Sequence, residues 1–586
     1  MPSEDKENAV EIDAGATVVN SGRAIADGGG KSANTLGPKL IKKLARPSGL
    51  SRLIQLTGDS TTSPLTWLMP EELVETEAHA AIQKWHTSVR KQKKTATVAA
   101  EVEEFLSEVR TDLDISKALL AVAAARTLRS IATQLLDLSG RFEELLALAD
   151  GVTDFEHHPW MHQLLGVELP LTLAFDLPEF GVSDQAIARA VARFEECTGE
   201  LMDGDGLIDH RYLSVYGPLT ACWARCHALA VKLKLEFREE TRVQLEWLAR
   251  TYMMMLRPDG TFGGSGYDSL PAPREMTQTV LKMTPDKLDK KVAEVCCFGE
   301  KRKLRTEPHQ SGLSEWADTG ILQANWKPGT GKCFLTFGNR KCWMEVCREI
   351  NLLGGDCTPQ VTFNDETLSI ADNVEVVCWE QQDEGDLVEL SFSFGNGVQL
   401  ERQIYLARDD DFLLIGDAIR SEEAGRFSYR CDYHLAPGVE GLPETETREI
   451  YLKDKKIRSL VLPLGLPEWK AARTAGSLTC RDGMLTLTQT AENQTGLYAG
   501  LFFDLNRKRS HQPRTWRQLT VGESLQKVRP DVAVAFRVRV GDDQWVMYRS
   551  LGEKANRSFI GYNIYDGFFI GRFEEDGQIE RMIEVE

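Results

Sequence analysis

The chain has 586 residues and a mass of 65.6 kDa. This length exceeds one compact core and predicts two to four domains at roughly 150 residues each. The composition, 42% hydrophobic and 27% charged, is ordinary for a globular protein, and no apolar run approaches the ~20 residues that cross a bilayer. The formal net charge of −19 repels nucleic acids and acidic membrane surfaces on average. We therefore expect neither nucleic acid nor a membrane as a partner.

The N-terminal region, residues 1–65, is polar and rich in Gly, Ser and Asn, which predicts a disordered leader. Its acidic start lacks the basic and apolar regions of a secretory signal. The twelve cysteines form no C-x-x-C pair and several lie in apolar stretches, as buried free thiols do in a reducing compartment. These features predict a cytoplasmic protein.

Residues 66–260 carry apolar side chains at helical spacing, for example in ALLAVAAARTLRSIATQLLDL and ETRVQLEWLARTYMMML. Several helices in series must pack on one another, so this range predicts a helical domain. Residues 261–314 contain Gly, Pro and Lys clusters that predict a loop or crossing between layers.

Residues 315–586 change to a period of two, with many short apolar runs separated by Gly, Asn and Asp turns. This pattern predicts an antiparallel sheet of many strands. An all-helical half followed by an all-antiparallel half predicts an α+β protein of two segregated parts, with a cleft where they meet.

Three phrases carry a resemblance to a known family: WMHQLLGVELPLTLAFDLPEF, GDGLIDHRYLSVYGPLTACW and SYRCDYHLAP. Together with the order of the domains, they make roughly residues 110–575 similar to the heparinase II/III-like polysaccharide lyases. The resemblance implies an incomplete (α/α) toroid followed by an antiparallel β-sandwich or supersandwich. It also implies β-elimination on an acidic, uronic-acid glycan, and the cell envelope or periplasm as an alternative to the cytoplasm.

Elimination requires a cationic group on the uronate carboxylate, a base for the ring proton and an acid for the leaving oxygen. The resemblance implies His162 and Arg211 at the carboxylate, with Tyr212 or Tyr216 as base and acid. Residues expected to bind substrate are His158, Trp160, His210, Arg430 and His434.

Two departures from the family weaken the catalytic interpretation. Met161 stands where the family has an asparagine, and methionine cannot neutralise a carboxylate. The stretch CWMEVCREINLLGGDCTPQVTF has no histidine, although active relatives supply histidines there. We predict no metal and no cofactor, since a zinc site at His434 would lack further ligands.

The stretch FSYRCDYHLAP, residues 427–437, alternates as a strand, with Arg430, Asp432 and His434 on one face and Cys431 on the other. We expect Cys431 in the core and the polar face turned toward the helical domain, where an acidic sugar would lie. An equal alternative is that these polar residues only pair with one another.

Two other functions remain open. The first is a catalytically inactive glycan-binding or scaffold protein with the same fold. The second is a glycoside hydrolase that uses paired carboxylates, for which Asp203, Asp205 and Asp209 are candidates.

Overall fold

The computed structural model describes residues 52–586, apart from 110–112, 152–154, 265–268, 302–303, 305–306 and 575–576. The described α-helices occupy the first part of the chain, as far as residue 296, and the strands begin at residue 312. The predicted α+β architecture, helical part first and antiparallel part second, is confirmed.

The helical part consists of amphipathic and buried helices joined by short turns. Its α-helices are α1 (Arg52–Thr57), α2 (Glu71–Val74), α3 (Glu77–Lys91), α4 (Thr95–Glu108), α5 (Ile115–Ile131), α6 (Leu138–Asp150), α7 (Pro159–Gln163), α8 (Leu169–Asp176), α9 (Asp184–Leu201), α10 (Leu213–Leu233), α11 (Glu239–Met255), α12 (Arg274–Val280) and α13 (Lys287–Cys296). A π-helical turn, Leu164–Glu168, joins α7 to α8, and a 3₁₀ turn, His210–Tyr212, leads into α10.

Side-chain caps define where several of these helices begin. The Asp114 carboxylate accepts a hydrogen bond from the Lys117 amide at 2.8 Å, and the Ser183 hydroxyl accepts one from the Ala186 amide at 3.2 Å. Such caps satisfy amide groups that have no partner within the helix. The predicted apolar spacing and the caps therefore agree on the starts of α5 and α9.

A buried charge cluster lies at the centre of the helical part. Glu168, on the π-helical turn, accepts hydrogen bonds from Arg225 at 2.7 and 2.8 Å and from Arg126 at 2.8 Å. Arg225 also donates to the Pro64 carbonyl at 2.8 Å. Because Glu168 and Arg225 are almost fully buried, each charge depends on the other for the solvation that water would otherwise supply.

The boundary predicted for the disordered leader, residue 65, lies too far along the chain. Residues 52–65 form α1 and a turn, and Leu53, Leu56 and Leu65 are buried in the same core as the following helices. The Lys282 ammonium also donates to the Leu56 carbonyl at 2.9 Å. The composition of this segment resembles that of a leader, but its leucines provide the apolar surface that packs it. Residues 1–51 of the predicted leader lie outside the described residues.

The predicted crossing at 261–314 is also only partly a loop. Its middle contains α12 and α13, whose Met276, Val280 and Val292 are buried in the helical core. The helical part therefore extends to residue 296. The lysines that suggested a linker lie on the exposed side of α13.

The second part contains antiparallel strands arranged in four sheets. The first sheet is β1 (Gly312–Ser314), β2 (Thr319–Gln323), β3 (Lys332–Thr336), β4 (Trp343–Arg348) and β5 (Ile350–Asp356) in chain order. The second is β6 (Gln360–Phe363), β7 (Glu366–Thr367), β8 (Glu375–Gln381), β9 (Gly385–Ser393), β10 (Gln399–Ala407), β11 (Phe412–His434), β12 (Glu440–Pro443), β13 (Ile450–Lys453), β14 (Ile457–Pro463), β15 (Gly476–Arg481) and β16 (Met484–Asp504).

Two smaller sheets complete this part. The third is β17 (Arg514–Leu519), β20 (Ala533–Val540), β21 (Asp543–Ser550), β24 (Phe568–Phe573) and β25 (Ile579–Val585). The fourth is β18 (Gly522–Glu523), β19 (Gln526–Lys527), β22 (Arg557–Phe559) and β23 (Tyr562–Ile564). The twelve cysteines of the chain all lie in the described residues as free thiols.

The helical part and the sheets stack as successive layers, because the first, second and third sheets each bury both faces. Phe334 of β3 packs into the helical core, whereas Leu335 next to it packs between the first and second sheets. Leu414 and Phe536 share the core between the second and third sheets, and Tyr548 packs on Phe559 between the third and fourth. Among the described residues, no helix combines the length and the hydropathy needed to cross a bilayer.

Two truncations test where the folded part begins. Deletion of residues 1–65 should lower the free energy of unfolding by about 2 kcal/mol for each buried leucine it removes, because their apolar surface leaves the core. Deletion of residues 1–51 is the control and should leave the thermal transition unchanged. Equal transitions in both truncated proteins would show that α1 does not stabilise the core.

Candidate functional site

The helical part meets the first sheet through two buried cationic side chains. Arg257, just after α11, donates to the Glu345 carboxylate of β4 at 2.6 and 3.0 Å, and the Gly264 amide donates to the same carboxylate at 3.1 Å. The Lys332 ammonium of β3 donates to the carbonyls of Met254 and Leu256 at 2.8 Å each, at the end of α11. These bonds set the position of the helices relative to the sheet.

A cavity of about 310 Å³ opens between the two parts at one end of β3 and β4. We call it the interdomain cavity. Its lining residues are His210, Arg211, Leu213, Ser214, Gly264, Thr336 and Trp343. The helical part supplies a guanidinium and an imidazole, while the first sheet supplies an indole and a hydroxyl.

His210 is bonded to the first sheet on all sides. Its amide donates to the Ala317 carbonyl at 2.8 Å, its Nε2 lies 3.0 Å from Asn339 Nδ2, and its Nδ1 lies 3.4 Å from oxygens of Asp209 and Asp318. A Cβ atom on Gly338 would lie 2.3 Å from the ring, so glycine is needed there. Because both ring nitrogens are engaged, His210 positions the 3₁₀ turn against the sheet and is not arranged as a free base.

Arg211 is held in place but remains accessible. Its guanidinium donates to both oxygens of Asp209 at 2.7 to 3.1 Å, while 61% of the side chain is exposed. Burial acts to raise the pKa of Asp209, but the bonds from Arg211 outweigh it and the pKa lies below its usual value. Arg211 therefore offers an oriented cation whose remaining N–H groups face solvent.

Tyr212 is half-buried beside Arg211, whose guanidinium lies 5.3 Å from the centre of the phenol ring. Burial raises the pKa of Tyr212, and the nearby Arg211 charge opposes that rise without cancelling it. The phenol is therefore neutral at pH 7, so it suits the role of acid better than that of base.

Of the helical candidates, Arg211 and His210 line the interdomain cavity, whereas Tyr212 packs against the helical core beside it and the others lie elsewhere. Tyr216 is fully buried, and its hydroxyl donates to the Gly206 carbonyl, so the predicted catalytic role is not supported by its position. His162 is buried with its Nδ1 3.2 Å from the Gln163 amide nitrogen, and Trp160 is buried in the helical core. His158 is exposed at the start of α7. Only Arg211 and Tyr212 of the predicted catalytic set lie together.

The prediction that the polar face of β11 turns toward the helical part is wrong. Tyr429, Cys431 and Tyr433 face the core between the first and second sheets, which confirms the buried position of Cys431. Arg430 alternates with them and therefore projects from the opposite face, away from the helical part.

The contacts of Arg430 agree with this direction, whereas His434, at the end of β11, lies against the first sheet. Arg430 donates to Asp432 with two bonds of 2.9 Å, and Asp432 also accepts from Thr486. His434 packs against Gly355 of β5, where an added Cβ would lie 2.7 Å from the ring. The alternative of mutual pairing describes Arg430 and Asp432.

Sequence reasoning missed the two hairpin tips of the first sheet beside His210. The turn between β3 and β4 carries Arg340 and Lys341, both exposed and without a carboxylate partner among the described residues. The turn between β1 and β2 exposes Trp316, with 54% of its surface accessible. Asn339 and Arg340 both have positive φ, as a tight two-residue hairpin turn requires. The asparagine in the sequence GNRK could have predicted this hairpin turn, because asparagine tolerates a positive φ.

The carboxylates predicted for a hydrolase accept hydrogen bonds from nearby backbone amides. Asp203 accepts bonds from the amides of Asp205 and Leu207 at 2.9 and 2.8 Å, and burial raises its pKa. Asp209 binds Arg211 and its amide. This geometry does not favour a pair of carboxylates facing one sugar.

One cluster of the described residues has the composition of a metal site: Glu168, Cys222 and Cys226, all buried. Arg126 and Arg225 already neutralise the Glu168 carboxylate. A divalent cation would meet two guanidinium groups there, so these residues do not fit a metal ion.

Comparison with solved structures identifies the fold. A mutant of the heparan sulfate lyase HepC from Pedobacter heparinus matches with a TM-score of 0.56 and 10% identity, over 90% of this chain and 92% of that chain. The chain has a heparinase-like polysaccharide lyase fold. A heparinase III matches with a TM-score of 0.54 and 12% identity, over 81% of this chain and 82% of that chain.

A further heparinase III matches with a TM-score of 0.54 and 10% identity, over 88% of this chain and 91% of that chain. No protein-family model and no curated protein matches the sequence. At these identities the likeness concerns the heparinase-like fold alone, and the activity has to be argued from the residues of the site.

The interdomain ion pair gives a stability prediction. Glu345→Gln should lower the free energy of unfolding by about 3 kcal/mol, because Arg257 would keep a buried charge without its counter-ion. Asp365→Asn breaks the exposed pair with Arg426 and is the control, with an expected change below about 1 kcal/mol. Urea unfolding followed by tryptophan fluorescence measures both. Similar midpoints for the two variants would contradict a stabilising role for the buried pair.

Proposed function

We propose that this protein is a lyase that cleaves an acidic, uronic-acid glycan in the interdomain cavity. The observation that carries the proposal is that Arg211 lines this cavity and that Tyr212 follows it on the same 3₁₀ turn, with the guanidinium 5.3 Å from the centre of the phenol ring. A cation and a proton-transferring group are the two elements that elimination needs side by side. The heparinase-like fold supports the choice of reaction class, since its solved examples include heparan sulfate lyases.

The proposed reaction uses these two side chains in sequence. The Arg211 guanidinium binds the uronate carboxylate and stabilises the negative charge that develops when the proton on C5 is removed. Tyr212, as phenolate, accepts that proton. The bond between C4 and the glycosidic oxygen then breaks, a C4–C5 double bond forms, and the Tyr212 phenol donates its proton to the leaving oxygen.

Neighbouring side chains supply the binding surface in this proposal. Arg340 and Lys341 provide positive charge for a polyanionic chain, although the protein as a whole is acidic. Trp343 in the cavity and Trp316 on the exposed β1–β2 turn offer aromatic faces against which sugar rings pack.

A second candidate function is glycan binding without turnover. Two observations favour it: the pKa of Tyr212 is raised, which disfavours the phenolate base, and Asp209 occupies one edge of the Arg211 guanidinium. Binding requires only the cations and the indoles, whereas elimination also requires the phenolate.

A Tyr212→Phe variant separates the two functions. With a panel of uronate polymers, the wild-type protein should generate an ultraviolet-absorbing unsaturated end, and the variant should do so about 10² to 10⁴ times more slowly. Glycan affinity should change little, because the hydroxyl is needed only in the transition state.

Tyr565→Phe, at an exposed tyrosine of the sheet part, is the matched control and should leave turnover unchanged. Equal turnover in Tyr212→Phe and wild type would remove Tyr212 from the mechanism. Saturable glycan binding without absorbing product in the wild type would establish the second candidate function.

The raised pKa of Tyr212 also fixes the direction of the pH dependence. Because the phenolate is the reactive base and its pKa lies above 10, kcat/KM should rise about tenfold per pH unit from pH 7 toward pH 10. Initial rates at low substrate concentration measure this profile. A plateau near neutral pH would contradict Tyr212 as the base and would point to a group with a lower pKa.

A further inference from the structure

A second cavity lies at the opposite end of β2 and β3 from the interdomain cavity. It has a volume of about 300 Å³ and is enclosed by the end of α11, by α12 and α13, and by the turn that joins β2 to β3. We call it the thiol cavity, because Cys296 and Cys297 are among its lining residues.

The charge of the thiol cavity is positive. Arg274 of α12 and Lys327 of the β2–β3 turn are exposed, and neither has a carboxylate partner within ion-pair distance among the described residues. Asp259, also in the lining, accepts bonds from the Thr261 amide and hydroxyl at 2.9 and 2.6 Å. Two cations are therefore available to a ligand, while the carboxylate is committed to its own turn.

The walls of the thiol cavity combine these cations with apolar surface. The Arg274 guanidinium lies 4.2 Å from the centre of the Phe298 ring, which orients it without neutralising it. Trp326 forms another part of the lining, and its indole nitrogen donates to the Pro308 carbonyl at 3.0 Å. Aromatic faces beside fixed cations suit a small organic anion.

A third cavity, of about 530 Å³, continues from the thiol cavity, since Asn325 and Lys327 line both. It adds His309 and Arg408, of which Arg408 is paired with Asp386. Its lining also contains the carboxylates of Glu307, Asp383 and Asp409, so the positive charge is confined to the thiol cavity and Lys327. Lys327 therefore lies between the thiol cavity and the third cavity. A ligand larger than one sugar ring has room to extend past it.

The labelling rate of the two thiols can show whether a ligand occupies the thiol cavity. The Sγ atoms of Cys296 and Cys297 lie 3.3 Å apart, and a hydrogen bond from Cys297 together with the nearby Lys332 charge lowers the pKa of Cys296. Cys296 is therefore the more reactive of the two toward alkylating reagents.

We propose that the thiol cavity binds a small organic anion bearing a carboxylate group, of the sugar-acid class, through Arg274 and Lys327. The site is distinct from the interdomain cavity and does not rest on lyase activity there. The two cations bind the carboxylate, and the half-buried Phe298 ring contacts the ligand body.

Calorimetric titration with sodium glucuronate tests the proposal, with glucose as the neutral probe. Wild-type protein should bind glucuronate saturably and glucose not at all. An Arg274→Gln/Lys327→Gln variant should bind glucuronate at least tenfold more weakly. Each removed charge should weaken binding on the order of two- to threefold or more, and the lost hydrogen bonds add to this effect.

An Arg473→Gln/Lys554→Gln variant removes two exposed cations of the sheet part and is the matched control. Its glucuronate affinity should equal that of the wild type, as should its thermal transition. Glucuronate should also slow iodoacetamide labelling of the tryptic peptide VAEVCCFGEK in wild type, which locates the bound anion at Cys296 and Cys297.

Two outcomes would overturn the inference. One is the absence of saturable glucuronate binding. The other is binding that persists in Arg274→Gln/Lys327→Gln but disappears in Arg340→Gln/Lys341→Gln, which would place the anion at the interdomain cavity. The second outcome would leave the proposed function intact, while loss of lyase activity in Tyr212→Phe would leave the thiol cavity intact.

Discussion

The buried contact of Arg257 and Lys332 with their acceptors is the constraint on which both cavities depend. Arg257 of the helical part binds a carboxylate of the first sheet, and Lys332 of the first sheet binds carbonyl groups at the end of α11. Each part therefore supplies the acceptors for a buried cation of the other part. Desolvated cations tolerate little displacement of their partners, because an unmatched charge in this environment costs several kcal/mol. The first sheet is therefore held at a fixed height above the helices, and the interdomain and thiol cavities lie at the two ends of its strands.

The helical part has its own buried charge cluster for a related reason. Its helices converge on Glu168, which lies on a π-helical turn where one extra residue in the turn shifts the side chain relative to a regular helix. Arg225 connects this carboxylate to the Pro64 carbonyl, so the N-terminal segment is bound to the centre of the helical part. This explains why residues that read as a leader by composition are packed: their leucines and a backbone carbonyl complete a core begun by distant helices.

The sequence predicted the architecture because periodicity reports which face of an element is buried. The change from a helical period to a period of two separated the two parts, and alternation along β11 placed Cys431 in the core. Alternation did not show on which side of the sheet that core lies, so the direction of Arg430 was wrong. The choice between Tyr212 and Tyr216 depended on which ring enters the core at the start of α10, and that is decided by packing against Phe262, a partner distant in sequence. The hairpin tips with Trp316 and Arg340 met His210 only through tertiary contacts that no local pattern encodes.

The distribution of charge connects these observations. A net charge of −19 opposes the approach of a polyanion, yet the fields of individual surface charges are screened over about 8 Å at physiological ionic strength. Within that distance, a ligand at either end of the first sheet meets cations without carboxylate partners among the described residues: Arg340 and Lys341 at one end, Arg274 and Lys327 at the other. Most other buried or half-buried arginines in this part of the chain, such as Arg402 with Asp417, are paired. Local electrostatics at these two openings therefore favour anions even though the average field of the acidic protein does not.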